Sequence, residues 1–165
     1  MSASRDRREA ARSEPKNEPR IEPKNLLHLE DQLCFALYAA SRAMTAAYAP
    51  MLDALDLTYP QYLVLLVLWD HDGERVSGIG DRLQLDSATL TPLLKRLETR
   101  GLVERRRSEA DERVVEVFLT AEGKRLKRRA AEIPLRVFAK SGLTSAELAA
   151  LRVTLQELTR RLRAE

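Results

Sequence analysis

Two short apolar periodicities, separated by a turn, lie between residues 76 and 97 and constrain the fold of this chain more than any other feature. The first has its apolar positions at Val76, Ile79 and Leu83. The second has them at Leu90, Leu93, Leu94 and Leu97. Both spacings are helical, and Leu85-Asp86-Ser87 provides the turn between them. Two helices joined in this way predict a helix-turn-helix at about residues 75–101.

The second of these helices carries polar and basic side chains between its leucines. Hydroxyl groups and long cations at such positions can hydrogen-bond base edges and phosphates when a helix docks in the major groove of DNA. The candidate DNA-binding residues on this helix are Ser87, Thr89, Thr91, Pro92, Lys95 and Arg96.

Pro92 leaves two possible starts for this helix. A start near Asp86 places Pro92 in the interior, where it removes one backbone hydrogen bond and bends the helix. A start at Leu90 or Thr91 places it in the first turn, where a proline is harmless. We favour the early start with a kink, and we expect Gly101 to end the helix.

Two strand-like runs follow Gly101, over residues 102–107 and 114–119, with a polar segment between them. They predict a β-hairpin at about residues 102–119, in the position of the wing of a winged helix. Arginines on such a hairpin can bind phosphate or enter the minor groove. The candidate wing contacts are Arg105, Arg106, Arg107, Asp111 and Arg113.

The charge of the chain is unevenly distributed, although the net charge is only +3. Residues 95–129 contain 12 basic and seven acidic side chains. A nucleic-acid face produces such a segment, and so does a solvated helix surface; the helix-turn-helix and the hairpin favour DNA. For five further basic residues we expect mainly a solvated face, with DNA backbone contact as the alternative. These are Lys124, Arg125, Lys127, Arg128 and Arg129.

Helical segments flank this central region on both sides. A long first helix is expected from Leu26 to about Ala49, interrupted by Pro50, and another begins at Thr58 with Gln61 completing a capping box. Residues 121–163 are expected to be helical, with Thr120 as a cap. A second capping box at residues 144–147 begins the last helix. Its leucines alternate steps of three and four, at Leu148, Leu151, Leu155, Leu158 and Leu162.

Packing of this last helix against its own domain is one explanation of the leucine pattern. A DNA reader that matches two-fold related half-sites favours the other, a seam between two copies. We therefore expect a homodimer joined by helices at about residues 26–49 and 121–163. The overall prediction is a mainly α fold with a small β-hairpin wing.

Length and composition predict one domain, at about residues 25–165, because 165 residues with 44% hydrophobic content support a single core. Residues 1–24 combine charges with three prolines and predict a disordered tail. No segment has the length of apolar sequence that a membrane helix needs. With Cys34 alone there is no internal disulfide, which favours a reducing, cytoplasmic location. We expect no metal or other cofactor.

Cys34 lies in an apolar helical run and Tyr38 follows it by one turn. The phenol therefore shares a face with the sulfur and can donate a hydrogen bond to a thiolate. This suggests a reactive sulfur. The alternative is that Cys34 only fills space in the core, as free cysteines often do.

Three segments carry a resemblance to a known family. The order of helices, helix-turn-helix and wing, with Asp111-Glu112-Arg113 and Phe118-Leu119-Thr120 in the wing, resembles the MarR family of transcriptional regulators. Residues 33–38, 57–62 and 85–97 resemble its organic hydroperoxide resistance regulators, OhrR. The resemblance covers about residues 26–163.

The resemblance implies that Cys34 is a peroxide sensor held by two tyrosines of the partner protomer. Those positions fall on Tyr48 and Tyr59, and Tyr38 is an accessory candidate. A thiolate becomes sulfenic acid on attacking an organic hydroperoxide. Some relatives resolve that acid with a second cysteine, which this chain lacks. The one-cysteine route then leaves a mixed disulfide with a small cellular thiol, a cyclic sulfenamide or over-oxidation.

The implied function is a repressor whose reduced dimer binds a pseudo-palindromic operator and is released when Cys34 is oxidised. An alternative keeps DNA binding but assigns release to a small aromatic or other metabolite, with Cys34 structural. A third hypothesis, a thiol peroxidase, has little support, because the sequence has no thioredoxin-like βαβ pattern and no resolving thiol. We therefore expect a protein that is not an enzyme.

Overall fold

The computed structural model describes residues 27–164. The predicted tail at residues 1–24 lies outside this range. The described residues fall into two compact units, divided between Ala39 and Ala40. In the first unit a short 3-10 helix at Leu29–Asp31 precedes the first α-helix. The helices are α1 (Leu33–Asp53), α2 (Tyr59–Asp70), α3 (Val76–Leu83), α4 (Ser87–Thr99), α5 (Ala121–Ala130), α6 (Ile133–Ser141) and α7 (Ser145–Arg163).

A three-stranded antiparallel sheet completes the fold. Its strands are β1 (Glu74–Arg75), β2 (Val103–Arg107) and β3 (Val115–Leu119), in the spatial order β1-β3-β2. The hairpin of β2 and β3 confirms the predicted wing. The two-residue strand β1 was not predicted, because so short a segment has no periodicity to detect.

The buried faces of α2, α3, α4 and α5 form most of the core of the second unit. The sides of α2, α3 and α4 that meet each other and the sheet are apolar. The helix α5, which follows the wing in the sequence, packs against α2 and β3 and covers the remaining side of the core. The buried side chains include Tyr62, Leu65, Leu68, Ile79, Leu90, Leu94, Leu97, Val117 and Leu126. The apolar positions predicted for the helix-turn-helix are therefore core positions, which leaves its other face for binding.

Side-chain caps fix where the helices begin. Thr58 and Thr144 each form a complete capping box, with Gln61 and Glu147. Thr120 accepts a hydrogen bond from the backbone N–H of Gly123 at the start of α5. All three caps were predicted. The backbone also confirms the end of α4, since Gly101 adopts a φ of +65°, a left-handed conformation that favours glycine.

The first helix differs from its prediction in two ways. It begins at Leu33 instead of Leu26, because Gln32 is extended, with φ −80° and ψ 117°. It also continues through Pro50 to Asp53, although Pro50 was expected to interrupt it. A proline removes one helical hydrogen bond, and burial of Leu52, which is 1% exposed, stabilises the continued helix.

The region after the wing contains three helices. Pro134 lies in the first turn of α6, a position that starts a helix, and Gly142 follows its end with a φ of +70°. The separate helix α6 was not predicted. No described helix combines the length and apolar content that crossing a membrane requires.

Candidate DNA interface and sensor site

The outer face of α4 presents the predicted DNA-binding side chains to solvent. Asp86 caps the helix by accepting a hydrogen bond from the N–H of Thr89 at 2.7 Å, and the hydrogen bonds from Thr89 hold the pKa of Asp86 below its ordinary value. The start at Ser87 confirms the early start, with Pro92 inside the helix. The six predicted residues of α4 are all exposed: Ser87, Thr89, Thr91, Pro92, Lys95 and Arg96.

The arginines of the wing divide into paired and available side chains. Arg105 lies against Glu98 of α4, with its Nε 2.9 Å and its Nη2 2.5 Å from the Glu98 Oε2. Arg106 pairs with Glu104, and its guanidinium lies 4.9 Å from the centre of the Phe118 ring. Both side chains therefore have intramolecular partners that the sequence did not reveal.

The outer part of the wing carries the other predicted residues. Asp111 accepts a 3.0 Å hydrogen bond from the N–H of Arg113, which shapes the wing turn. Arg107 makes only a 3.5 Å contact to the carbonyl oxygen of Glu112. The Arg113 side chain lines a cleft of about 340 Å³ between wing, α3 and α4, together with Thr91 and Arg75. Arg105 and Ser77 also line this cleft, and a site with three arginines and two hydroxyl groups suits a phosphate.

The five basic residues of α5 are all exposed, which confirms the expected solvated face. Most of them also have partners within the chain. Lys127 donates a 2.7 Å hydrogen bond to the carbonyl oxygen of Trp69 near the end of α2. Arg129 lies 3.5 Å from the carbonyl oxygen of Ala54, just beyond α1. Lys124 pairs with Asp72 at 2.9 Å. Arg125 pairs with Glu122 on the same helix.

Four aromatic rings form a cluster where α1 and α2 meet. The rings of Tyr48 and Tyr59 have centroids 5.1 Å apart, and Tyr62 lies 5.8 Å from Tyr48. Tyr62 also packs edge-on against Trp69 at 6.0 Å. Tyr62 is 2% exposed, whereas Tyr48 and Tyr59 are half-buried. The two tyrosines named by the resemblance are thus brought side by side at the edge of the core.

Burial makes these phenols weaker acids. It raises the pKa of Tyr48 above its ordinary value, with a further contribution from Tyr59, and it raises the pKa of Tyr59 in the same direction. Burial and the two neighbouring phenols raise the pKa of Tyr62 to about 12. The hydroxyl groups of Tyr48 and Tyr59 therefore remain protonated at neutral pH and available as hydrogen-bond donors.

Cys34 is the second residue of α1 and its side chain is exposed. The Sγ lies 3.7 Å from the Oε1 of Gln32. Because the sulfur is exposed, the alternative that Cys34 only fills space in the core is wrong for the single subunit. Tyr38 is 57% exposed on the same helix. Residues 27–164 contain no cluster of His, Cys, Asp and Glu side chains able to hold a metal ion.

The helix α7 has no buried residue. Leu151 and Leu162 are 47% and 75% exposed, and Leu33 of α1 is 62% exposed. A groove of about 1040 Å³ lies between α7 and the side chains of Met44 and Tyr59. Exposed apolar surface of this kind indicates an interaction site.

A helix-turn-helix followed by a hairpin wing defines the chain as a winged-helix protein with a DNA-reading face. Residues 46–130 match a family model described as transcriptional regulator SarA/Rot. The organic hydroperoxide resistance transcriptional regulator of Bacillus subtilis (strain 168) is 50% identical over 132 residues, or 80% of this chain and 90% of that protein. The HTH-type transcriptional regulator TtmR of Methylorubrum extorquens (strain PA1) is 54% identical over 123 residues, or 74% of this chain and 63% of that protein.

Solved structures of AbfR, a protein of Staphylococcus epidermidis, are similar throughout the fold. Reduced AbfR bound to DNA has 36% identity and a TM-score of 0.69, covering 83% of this chain and 96% of its own. Overoxidised AbfR bound to DNA has 34% identity and a TM-score of 0.68, covering 85% and 98%. The chain belongs to the MarR family of transcriptional regulators, within its organic hydroperoxide resistance group.

Proposed function

We propose that this protein is a peroxide-sensing repressor whose reduced homodimer binds a pseudo-palindromic operator and is released when organic hydroperoxide oxidises Cys34. The observation that carries the proposal is the Tyr48–Tyr59 pair at the edge of the core. Both phenols are protonated, and the centroids of their rings are 5.1 Å apart. Two relatives support it: the Bacillus subtilis regulator named for organic hydroperoxide resistance, and reduced AbfR, which was solved bound to DNA. As a regulator of transcription, it acts in the cytoplasm.

The sensor site of this proposal is shared between two subunits. The exposed apolar side chains of α1 and α7 form the dimer interface. Each subunit contributes one domain of about residues 25–165. The partner's Cys34 then lies against Tyr48 and Tyr59, whose hydroxyl groups donate hydrogen bonds to the thiolate. Tyr38 is an accessory donor. A charge-assisted hydrogen bond of this kind stabilises the nucleophilic form of the sulfur.

The chemical step transfers one oxygen atom. The thiolate of Cys34 attacks the terminal oxygen of the hydroperoxide, the S–O bond forms, the O–O bond breaks, and the alkoxide leaves to take up a proton as an alcohol. Sulfur is oxidised by two electrons and the peroxide is reduced. A small cellular thiol then condenses with the sulfenic acid, which forms a mixed disulfide and releases water.

We assign release of DNA to this mixed disulfide. AbfR has been solved in an overoxidised form bound to DNA, which supports assigning release to a bulkier adduct instead of to added oxygen alone. The regulator consumes one peroxide for each sulfur and is not an enzyme.

The DNA-binding residues of this proposal are those of α4 and the wing. Ser87, Thr89, Thr91, Pro92, Lys95 and Arg96 face the major groove, while Arg107, Asp111 and Arg113 belong to the wing contact. Arg105 contributes through its pairing with Glu98, which fixes the wing against α4.

The test is a mobility shift on the DNA upstream of the coding sequence, with intact mass measured for the released protein. Cumene hydroperoxide is added with and without free cysteine as the small thiol. We expect release only when both are present, together with the mass of a cysteine adduct. The Cys34→Ser variant should bind the same DNA and stay bound; release of this variant by the peroxide would overturn the proposal.

The groove beside Tyr59 favours one second candidate, a repressor released by a small aromatic or other metabolite. Its volume of about 1040 Å³ is large enough for such a ligand. The mobility shift distinguishes the two candidate functions, since a metabolite would release both the Cys34→Ser variant and the parent protein from the DNA.

A further inference from the structure

Arg100 connects the end of α4 to the turn that joins α1 and α2, residues 54–57, called here the α1–α2 turn. Its Nη2 donates to the carbonyl oxygen of Leu55 at 3.2 Å and lies 3.1 Å from the Asp56 Oδ2. Its Nη1 donates to the carbonyl oxygen of Asp56. One guanidinium thus binds two backbone carbonyls and a carboxylate of the same turn.

The backbone of Arg100 belongs to the DNA-reading helix. Its N–H donates to the carbonyl oxygen of Arg96 at 3.1 Å and closes the last turn of α4. Among residues 27–164, the side-chain hydrogen bonds and ion pairs between α4 or its cap and this turn all come from Arg100. Movement of the turn therefore has a direct polar connection to α4.

The α1–α2 turn is itself well defined. Asp56 has a φ of +53°, a left-handed conformation that is unfavourable for a residue other than glycine. The N–H groups of Leu55 and Leu57 both donate to the carbonyl oxygen of Leu52 at 2.9 Å, and Leu52 and Leu57 are buried. A turn fixed in this way moves as a unit.

The two sensor phenols lie on either side of this turn. Tyr48 belongs to the last part of α1, and Tyr59 is the first residue of α2. A group that separates or tilts these rings therefore displaces the helix ends that the turn joins. A cleft of about 630 Å³ lies beside the turn, lined by Asp53, Gln61, Lys95 and Arg96 among others, so this side has space for displacement.

We propose that Arg100 is a positioning residue that transmits the state of the Tyr48–Tyr59 pair to α4 through the α1–α2 turn. This inference rests on the proposed function and adds the route by which modification of the sulfur reaches the DNA face. A bistable contact that both sites influence is the physical requirement for such coupling. Arg100 touches neither the peroxide nor a base.

The experiment measures a coupling ratio, the Kd for operator DNA of the cysteine-modified dimer divided by that of the reduced dimer. Allosteric coupling typically changes affinity by about 5- to 150-fold, and we expect the parent protein to fall in that range. Arg100→Met should lower the ratio to below about threefold while Cys34 is oxidised at the parent rate. A residue that only stabilises the fold would change the melting temperature and leave the ratio intact.

Arg129→Met is the matched control. Arg129 reaches the same turn, at the carbonyl oxygen of Ala54, but it belongs to α5, outside the proposed DNA-reading helix and wing. This variant should keep the parent ratio. Asp56→Asn is a second control, because asparagine tolerates a positive φ and the carbonyl contacts of Arg100 remain. It should reduce the ratio less than Arg100→Met.

Arg100→Lys keeps the measurement decisive if Arg100→Met does not fold. Lysine retains the charge but cannot bind three acceptors in one plane, so its ratio should also fall. A parent-like ratio in the folded Arg100 variants would overturn the coupling while leaving the peroxide sensor intact. A parent ratio of one would overturn the proposed function and this inference with it.

Discussion

The indole Nε1 of Trp69 donates a 2.9 Å hydrogen bond to the carbonyl oxygen of Gly123. The bond joins the last turn of α2 to the first turn of α5. It fixes the approach of the two helices at the position where the backbone of Leu102 passes closest to Gly123. The aromatic cluster and the base of the wing are thereby held in one arrangement.

Gly123→Ala should destabilise the protein. A methyl group at this position would collide with the carbonyl oxygen of Leu102, which is backbone and cannot move aside as a side chain can. Overpacking of this kind costs about 1–3 kcal/mol, more than the gain of about 1 kcal/mol in helix propensity. Urea unfolding measures the difference.

Gly78→Ala is the control for that prediction. Gly78 is also helical, but the nearest atoms are those of the Glu74 side chain, which can rotate away. We expect an unchanged or slightly raised stability. Equal losses in the two variants would show that helix propensity, and not the contact with Leu102, determines the result.

Tyr59→Phe should slow the oxidation of Cys34 by cumene hydroperoxide. A hydrogen bond to a charged group contributes about 1.5–3 kcal/mol of stabilisation. Loss of this stabilisation from the thiolate should lower the oxidation rate roughly tenfold or more. The ring packing against Tyr48 is kept. The rate is followed by intact mass of quenched samples.

Tyr62→Phe provides the comparison. This phenol is 2% exposed, so it cannot reach a sulfur of another subunit. The variant should alter stability and leave the oxidation rate within about twofold of the parent, since a rate change of that size is small in energy. Similar slowing in both variants would argue against a specific donor at Tyr59.

Arg113→Ala should weaken operator binding and reduce its dependence on salt. Loss of one phosphate contact lowers the slope of log K against log salt by about 0.9. Arg106→Ala removes an equal charge from the same wing, but Arg106 is bound to Glu104 and Phe118. We expect its slope to stay at the parent value. Titrations at several salt concentrations decide between the two results.

Glu98→Gln should destabilise the protein at neutral pH and have no effect in acid. The hydrogen bonds from the Arg105 side chain hold the pKa of Glu98 below its ordinary value. A lowered carboxyl pKa adds stability that is complete above the unfolded value, about 4.3, and is lost as pH falls through the folded value. The pair is partly exposed, so the effect is about 1 kcal/mol or less.

Unfolding curves at neutral pH and in acid below the folded pKa of Glu98 test this sign, since only there is the carboxyl protonated in the folded protein as well. Glu109→Gln, at the exposed wing turn, is the matched control and should be neutral at both. A loss of stability in Glu98→Gln that persists in acid would show that the Glu98–Arg105 pair is not its source.

The sequence was sufficient where the signal is local. Caps at Thr58, Thr120 and Thr144 depend on side chains within three residues, and Gly101 depends on its own backbone. The continued helix through Pro50 could not be foreseen, because the burial of Leu52 that stabilises it is a tertiary effect. The same holds for Glu98, whose partner lies seven residues away on a strand.

The candidate site residues also divide into those with a local sequence signal, which were predictable, and those that depend on distant partners, which were not. The exposed face of α4 was predictable, since the leucines specify which side is buried. The role of Arg100 was not predictable, because its partners at Leu55 and Asp56 are more than 40 residues away. Long-range pairing of this kind leaves no periodicity in the chain.

Two surface cations of α5 determine how small a piece of this protein can be made. Lys127 and Arg129 bind carbonyl oxygens at the ends of α2 and α1, and Leu126 is part of the core. A fragment that stopped after the wing would leave those carbonyls uncapped and one side of the core exposed to water. Any fragment of this chain that folds around the wing therefore has to extend at least through Ala130.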